Sequence, residues 1–386
     1  MGTNRHESTI NFFLALVRTG LWEQADSNHN LDDILNDKVD WDEVYKMAVE
    51  QSVHGLVLQG IERLRNHNVK LDLNQGLLLQ WIGEVQMIEQ RNKNMNAFLT
   101  DLIEKLRKHD INTLLVKGQG IAQCYERPLW RSCGDVDLFL SDDNYNRAKE
   151  LLVPIASEVE KEYVREKHLG MTINGFVVEL HGSLRMGLPK RINQMLNDIE
   201  MDAFYNGNVR SWMNGETQIF MLGKENDIVY VFVHFFNHFY KEGVGLRQVC
   251  DWCRLLWTYR DSLNHKLIES RIRQAGLMSE WKAFGAFAVE YLGMPIESMP
   301  FLNANDNLKL KKKAKRICDF IMKVGNMGHN RDMSHFGKYP YLVRKCVSMG
   351  RRIGDLINHA RIFPLDSLRF FPRIMFNGVR SAVRGE

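Results

Sequence analysis

Proline is scarce, at 8 in 386 residues, and cysteine scarcer still, at 6. Few prolines leave room for long uninterrupted helices. Six cysteines in so long a chain do not make a disulfide framework, and a reducing cytoplasm fits them best. Cys250-Asp251-Trp252-Cys253 has CxxC spacing without a second CxxC; it reads as a zinc or redox pair, or as two cysteines in a helix. No apolar run reaches the ~18 residues that a bilayer demands. The longest, Ile228 to Tyr240, is broken by His234, Asn237 and His238. The opening Met1-Gly2-Thr3-Asn4-Arg5-His6-Glu7 lacks the basic-then-apolar pattern of a signal peptide. Repeats and low-complexity tracts are missing too.

What is present is an ordinary globular composition, 45% hydrophobic and 25% charged, long enough for two or three domains. The net charge of +4 hides an asymmetry. Residues 301–386 hold 18 Lys+Arg against 6 Asp+Glu, a net of +12, so the rest of the chain carries −8. A polyanion or anionic surface would therefore find the tail and not the body.

Apolar spacings of three and four predict helices from Ile10, from Asp40 to Gln51, from Val53 to Leu64, and over Gln75 to Lys108. The pattern then changes. Ile111 to Val116 reads as a buried strand, Gly118 to Tyr125 as a turn into a helix, and Asp135 to Leu140 as a second strand. Ser141-Asp142-Asp143 caps a helix to Val153. Glu158 to Glu166, Leu169 to Ile173 and Phe176 to Leu180 read as strands, the last two joined by a hairpin at Asn174-Gly175. A second Asn-Gly, Asn206-Gly207, joins Ile199–Tyr205 to Asn208–Met213 as another hairpin. From Gly223 onward the pattern is helical again. The order implies an α+β chain: an N-terminal helical region (1–110), a small mixed β-sheet core (111–222) and a C-terminal helical domain with the basic tail (223–386).

Chemistry concentrates in the core. Lys117-Gly118-Gln119-Gly120 follows the first strand, and Asp135-Val136-Asp137 opens the second. Side chains at i and i+2 of a strand share a face, so the two aspartates project together, a costly arrangement unless a cation lies between them. Glu179 is the one acid in the apolar strand Phe176-Val177-Val178-Glu179-Leu180-His181. If that strand neighbours the second, Asp135, Asp137 and Glu179 form an all-oxygen set suited to two Mg²⁺ ions. A glycine turn facing phosphates beside such a set is apparatus for phosphoryl or nucleotidyl transfer. The bland alternatives are a strand-entry turn for Asp-x-Asp and a tight turn for Gly-x-Gly; Lys117 is either a phosphate partner or simply exposed.

The combination of Leu115-Val116-Lys117-Gly118, Tyr125, Arg131, Asp135-Val136-Asp137-Leu138 and Val178-Glu179-Leu180-His181 resembles the uncharacterised nucleotidyltransferase family of the polymerase-β-type superfamily, over about residues 10–260. The resemblance implies a nucleotidyltransferase core flanked by helices, Mg²⁺ dependence, and transfer of a nucleoside monophosphate from NTP to an acceptor. Carried over, Asp135, Asp137 and Glu179 are metal ligands and catalytic residues, with Glu179 placed to help deprotonate the acceptor. Lys117, Gly118, Gln119, Gly120 and Arg131 face the nucleotide phosphates. Gln119 stands where the superfamily usually has serine, and the span from Gly118 to Asp135 exceeds that of compact members.

Downstream, His234 and His238 lie four apart on one helical face, as zinc ligands, as cleft-lining groups or as core histidines. Arg247 and Asp251 are also four apart, read as a helix-surface ion pair or, since the resembling family has His-x-x-x-His and Arg-x-x-x-Asp after its sheet, as part of the substrate site with His181. The tail, with Lys309-Leu310-Lys311-Lys312-Lys313-Ala314-Lys315-Arg316 and Arg369-Phe370-Phe371-Pro372-Arg373-Ile374-Met375-Phe376, reads as a solvated face, a site for an anionic partner such as nucleic acid, or a membrane-surface contact. Two other functions remain beside the Mg²⁺-dependent transferase: an inactive nucleotide-binding or protein-interaction module on the same fold, and a polynucleotide-directed transferase. The acceptor, whether small molecule, protein or nucleic-acid end, is not written in the sequence.

Overall fold

The computed structural model describes residues 2–23, 39–303, 308–328, 340–369 and 372. Of the arginine- and phenylalanine-rich stretch at 369–376, residues 370, 371 and 373–376 lie outside them. The chain opens with α1 (Gly2–Leu21), α2 (Trp41–Glu50) and α3 (His54–Asn66). Then α4 (Gln75–Lys108) runs for 34 residues, about 50 Å at 1.5 Å per residue. Asn74 caps it, its side chain accepting from the backbone N–H groups of Gly76 and Leu77. This helix joins two cores. Trp81 and Val85 sit in the larger helical core, while Met95, Phe98, Leu102 and Leu106 sit against the sheet.

Among the described residues the sheet has seven strands: β1 (Thr113–Val116), β2 (Asp135–Leu140), β3 (Glu158–Val159), β4 (His168–Ile173), β5 (Phe176–His181), β6 (Val209–Asn214) and β7 (Thr217–Leu222). Their spatial order is β3-β4-β5-β2-β1-β7-β6. β2 pairs antiparallel to β1 and parallel to β5. Alternation along β2 divides its residues cleanly. Val136, Leu138 and Leu140 face the core under α4 and α6 (Asp142–Leu152), together with Val178 and Leu180 of β5. Asp135, Asp137 and Phe139 therefore take the opposite face. Phe139 packs there against Phe204 at the end of α7 (Lys190–Phe204).

Further helices are α5 (Gly118–Ala122), between β1 and β2, then α8 (Lys224–Lys241), α9 (Leu246–Tyr259), α10 (His265–Ala275), α11 (Met278–Leu292), α12 (Leu308–Val324) and α13 (Tyr341–Ile362). α8 is buried nearly all round and carries Phe232, Phe235, Phe236 and Phe239 into a core shared with Trp252 and Trp281. The basic run of α12 is the outer side of an amphipathic helix that buries Ala314, Ile317, Phe320 and Ile321. Lys311 pairs with Glu290 there, and Lys313 donates to Ser279. None of the described helices is long and apolar enough to cross a membrane.

Two sequence expectations change. The strand expected over 158–166 shrinks to the two residues of β3. The hairpin expected at Asn206-Gly207 is not one: Ile199 to Phe204 finishes α7, and the hairpin turns one step later, at Gly215-Glu216 between β6 and β7. Asn174-Gly175 does close the β4–β5 hairpin, with φ of 52° and 79°.

Glycines set a close crossing between α1 and α3. A Cβ added at Gly60 on α3 would strike the backbone carbonyl of Leu16 on α1, and one at Gly20 the carbonyl of Leu56. Because both obstacles are backbone, neither can swing aside. Gly60→Ala should therefore destabilise the protein by about 1–3 kcal/mol, read as a lower melting temperature; an unchanged melt would mean that the crossing is looser than described.

Candidate active site

Parallel pairing of β2 with β5 sets Asp137 directly opposite Glu179. Asp135 lies one pleat away on the same face, and one carboxylate oxygen from each of the three falls within 4.8 Å of the others. Mutual repulsion is visible in Asp135, whose pKa is raised first by the charge of Asp137 and then by burial. Every donor in this set is a hard oxygen, the chemistry that Mg²⁺ requires. The residues present therefore fit such an ion.

Cationic side chains already lie among the acids. Lys117 joins β1 to α5 with φ +59° and ψ −145°, a conformation that costs a non-glycine residue roughly 1–3 kcal/mol. It directs Nζ to 2.7 Å from Oδ1 of Asp137 and 3.2 Å from Nε2 of His234. Burial alone would lower the lysine's pKa, but Asp137, with Tyr230, Asp135 and Glu179, raises it well above the usual value. His181 Nε2 lies 2.8 Å from that same Asp137 oxygen and 3.4 Å from Oε2 of Glu179. Its pKa is raised by these two acids against the opposing effect of burial. His168 Nε2 reaches Glu179 Oε2 at 3.1 Å. Although burial would raise the pKa of Glu179, hydrogen bonds from both histidines and the charge of Lys117 hold it well below the ordinary carboxylate range.

Lys117, Asp135, Asp137 and His234 line a cleft walled by α5, the segment entering β2, α8, α9 and Met327. Its lining includes Lys117, Gly118, Arg131, Asp135, Asp137, His234, Arg247 and Asp251. Arg131 is clamped rather than free. Its Nε and Nη2 meet both oxygens of Asp251 at 2.7 and 2.6 Å, and its Nη1 reaches Cys133 Sγ at 2.7 Å. Tyr125 donates to Asp251 at 2.7 Å. Arg131 and Asp251 are almost wholly buried, so Asp251 is no helix-surface partner; Arg247 stands off from it at 3.7 Å. That pair ties α9 to the segment leading into Asp135.

Two other sequence candidates point elsewhere. Gln119 turns its amide to Asn92 Oδ1 and Met95 Sδ on α4, at 3.0 and 3.3 Å, away from the carboxylates. Gly120 admits close packing against β7, since an added Cβ would lie 2.6 Å from Met221 Sδ. Gly118, with φ +43°, lines the cleft. α5 spans only five residues, so little helix dipole backs that turn.

His234 faces the acids while His238 pairs with Glu242 at 3.4 Å. Burial first, then Lys117, pushes the pKa of His234 well below 6.5. Among the described residues, no potential metal cluster contains either of these histidines, or Cys250 or Cys253. Both thiols are buried in α9 with pKa values raised by that burial, the state of inert core cysteines.

His168 had escaped notice in the sequence, although a signal for it exists. Pairing outward from the Asn174-Gly175 turn sets Ile173 against Phe176 and, at the strand ends, His168 against His181. Tyr230 and Met327 left no comparable trace.

A family model described as an uncharacterised nucleotidyltransferase matches residues 37–293. The chain belongs to this family. Its seven-stranded mixed sheet with flanking helices is consistent with an α+β nucleotidyltransferase-like fold, and the family implies an NTP substrate. No curated protein and no solved structure matches it. The family match covers the strands, all three carboxylates and the cleft lining except Met327.

The electrostatics make opposite predictions for neighbouring imidazoles. In the metal-free protein, ¹⁵N resonances should show His181 still protonated above pH 6.5 and His234 neutral well below it. The contribution of His181 to stability is complete below pH 6.5 and is lost as pH rises through its folded value, whereas that of Glu179 is present above about pH 4.5 and is lost as pH falls. Coincident titration of the two histidines near 6.5 would contradict this. Separately, Asp251→Ala strands a buried guanidinium and should cost about 3–5 kcal/mol of unfolding free energy, measured by urea denaturation.

Proposed function

We propose that the protein is a Mg²⁺-dependent nucleotidyltransferase that moves a nucleoside monophosphate from NTP to an acceptor oxygen and releases pyrophosphate. The observation that carries this reading is the β2–β5 register, which gathers Asp135, Asp137 and Glu179 on one face of the sheet, the two aspartates lining a cleft. These three side chains would hold the metal. Bound there, Mg²⁺ supplies charge neutralisation for the triphosphate and a lowered pKa for an acceptor hydroxyl.

The chain's own groups have distinct tasks. Lys117 stays protonated and serves as a fixed positive charge toward phosphate, steadied by neutral His234. Arg247 adds a guanidinium on the cleft wall, while Arg131 keeps α9 and the β2 entry in place through Asp251. Glu179, with its depressed pKa, is better suited to ligation than to the proton abstraction expected of it. As the acceptor oxygen gives up its proton to water and bonds to the α-phosphorus, the bond to pyrophosphate breaks in line.

Asp137→Asn removes one ligand while preserving shape. It should lower NMP transfer by at least about 10³-fold, several kcal/mol of transition-state stabilisation, and leave the thermal melt near that of wild type. The assay is pyrophosphate release with labelled NTP, Mg²⁺ and cell extract as the acceptor source. Undiminished transfer by the variant rejects the assignment. Calorimetric NTP binding without turnover in the wild type would instead favour the inactive module.

A further inference from the structure

Glu179 belongs to a second constellation. His168 and His181 are cross-strand partners on β4 and β5, and Glu179 shares their face two residues before His181. Both Nε2 atoms approach one oxygen, Oε2 of Glu179, at 3.1 and 3.4 Å, and the three ligand atoms lie within 4.8 Å of one another. In a shell with metal–ligand distances of ~2.1 Å, adjacent donors are ~3.0 Å apart in an octahedron and ~3.4 Å apart in a tetrahedron. The two separations from Oε2 fall at those edges.

The donor chemistry differs from that of the three carboxylates. Two imidazoles and one carboxylate are a poor match for Mg²⁺ but suit Zn²⁺, Fe²⁺ and ions between them in the first row. Negative charge is at hand. Asp137 Oδ1 lies 2.8 Å from His181 Nε2, and the carboxylate of Glu160 fills the space above Gly170, the cross-strand neighbour of Glu179. We propose that His168, Glu179 and His181 form a second cation site, for a borderline divalent transition metal, joined to the Asp135/Asp137 set through Glu179.

Loading the site requires one rearrangement. The His168 and His181 rings are stacked with centroids 4.7 Å apart and planes 11° from parallel, so their lone pairs run side by side. One ring must tilt for both to converge on an ion. Tyr163, stacked on His168 at 5.8 Å, is 61% exposed and leaves room for that tilt.

The competing role is a hydrogen-bond clamp that only orients Glu179, and glutamine at position 168 separates the two. Its amide can still donate to Glu179 but is a weak ligand for a borderline metal. The experiment titrates Co²⁺ into the full chain in excess Mg²⁺, without NTP, following visible absorption, heat and paramagnetic shifts of histidine resonances. Its outcome is thus independent of whether nucleotidyl transfer occurs. Wild type should bind one Co²⁺ that excess Mg²⁺ does not displace, with His168 and His181 resonances shifted. His168→Gln and His168→Ala should each weaken binding by at least about tenfold, and His168→Gln, whose amide still donates to Glu179, should keep the melting temperature near that of wild type. No Co²⁺ binding in wild type, displacement by Mg²⁺, unshifted histidines, or wild-type affinity in His168→Gln would each overturn the site.

Discussion

Three carboxylates share one face of two neighbouring strands, and much of the surrounding structure answers their repulsion. At 4.8 Å, the upper bound on their oxygen separations, two unit charges repel by about 3 kcal/mol at an effective dielectric of ~20. Pleat and register impose this, since β2 and β5 cannot pair as they do without setting Asp137 against Glu179. Lys117, just after β1, and His181, at the end of β5, approach the same oxygen of Asp137. The left-handed backbone at Lys117 belongs to that solution. It turns the chain from β1 into α5 at the point where an ammonium group is needed.

Further out, the cleft is held by burial. Arg131 reaches across 120 residues to Asp251 and satisfies it with a two-pronged contact, to which Tyr125 adds a third donor. An unpaired charge in so dry a place would cost several kcal/mol, so this pair ties the wall formed by α9 to the entry to β2. On the other side, α8 sinks its phenylalanines into the helical core and presents His234 to Lys117. The walls are thus anchored in the larger core, while the floor rests on the smaller core beneath the sheet.

What could be read from the chain alone follows from how local each cause is. The period-two spacing of Asp135 and Asp137, and Glu179 alone among apolar residues, are local signals, and the family match agrees with the α+β architecture they imply. The second Asn-Gly misled because that dipeptide reports only a left-handed turn. Gly207, with φ +67°, follows a helix whose buried positions Ile192, Met195, Leu196, Ile199 and Ala203 keep helical spacing. Gln119 and Arg131 show the limit more sharply. Nothing near Gln119 in sequence says that its amide faces Asn92, 27 residues earlier, and no spacing rule links Arg131 to Asp251. Sequence pattern reaches which residues share a face; which way a polar side chain turns in a tertiary gap depends on its partners.

The internal neutralisation of the acids bears on how tightly they can take up a cation. Two cationic side chains, Lys117 and His181, already stand against three carboxylates. An ion entering among them has to replace those contacts, so its gain is a difference between two solvated arrangements and not the full attraction of three bare acids. On the proposed reading, NTP alters that difference. Its phosphates bring negative charge and further oxygen ligands to the cleft, and they offer Lys117 another partner. Metal and nucleotide would therefore strengthen each other by the same factor. A borderline ion at His168, Glu179 and His181 draws on a different balance, because it takes its nitrogen ligands from the very groups that shield the acids. Withdrawing His181 from Asp137 would leave that carboxylate to Lys117 and to whatever cation lies beside it. Glu179 is thus the residue through which occupancy of either site is felt at the other.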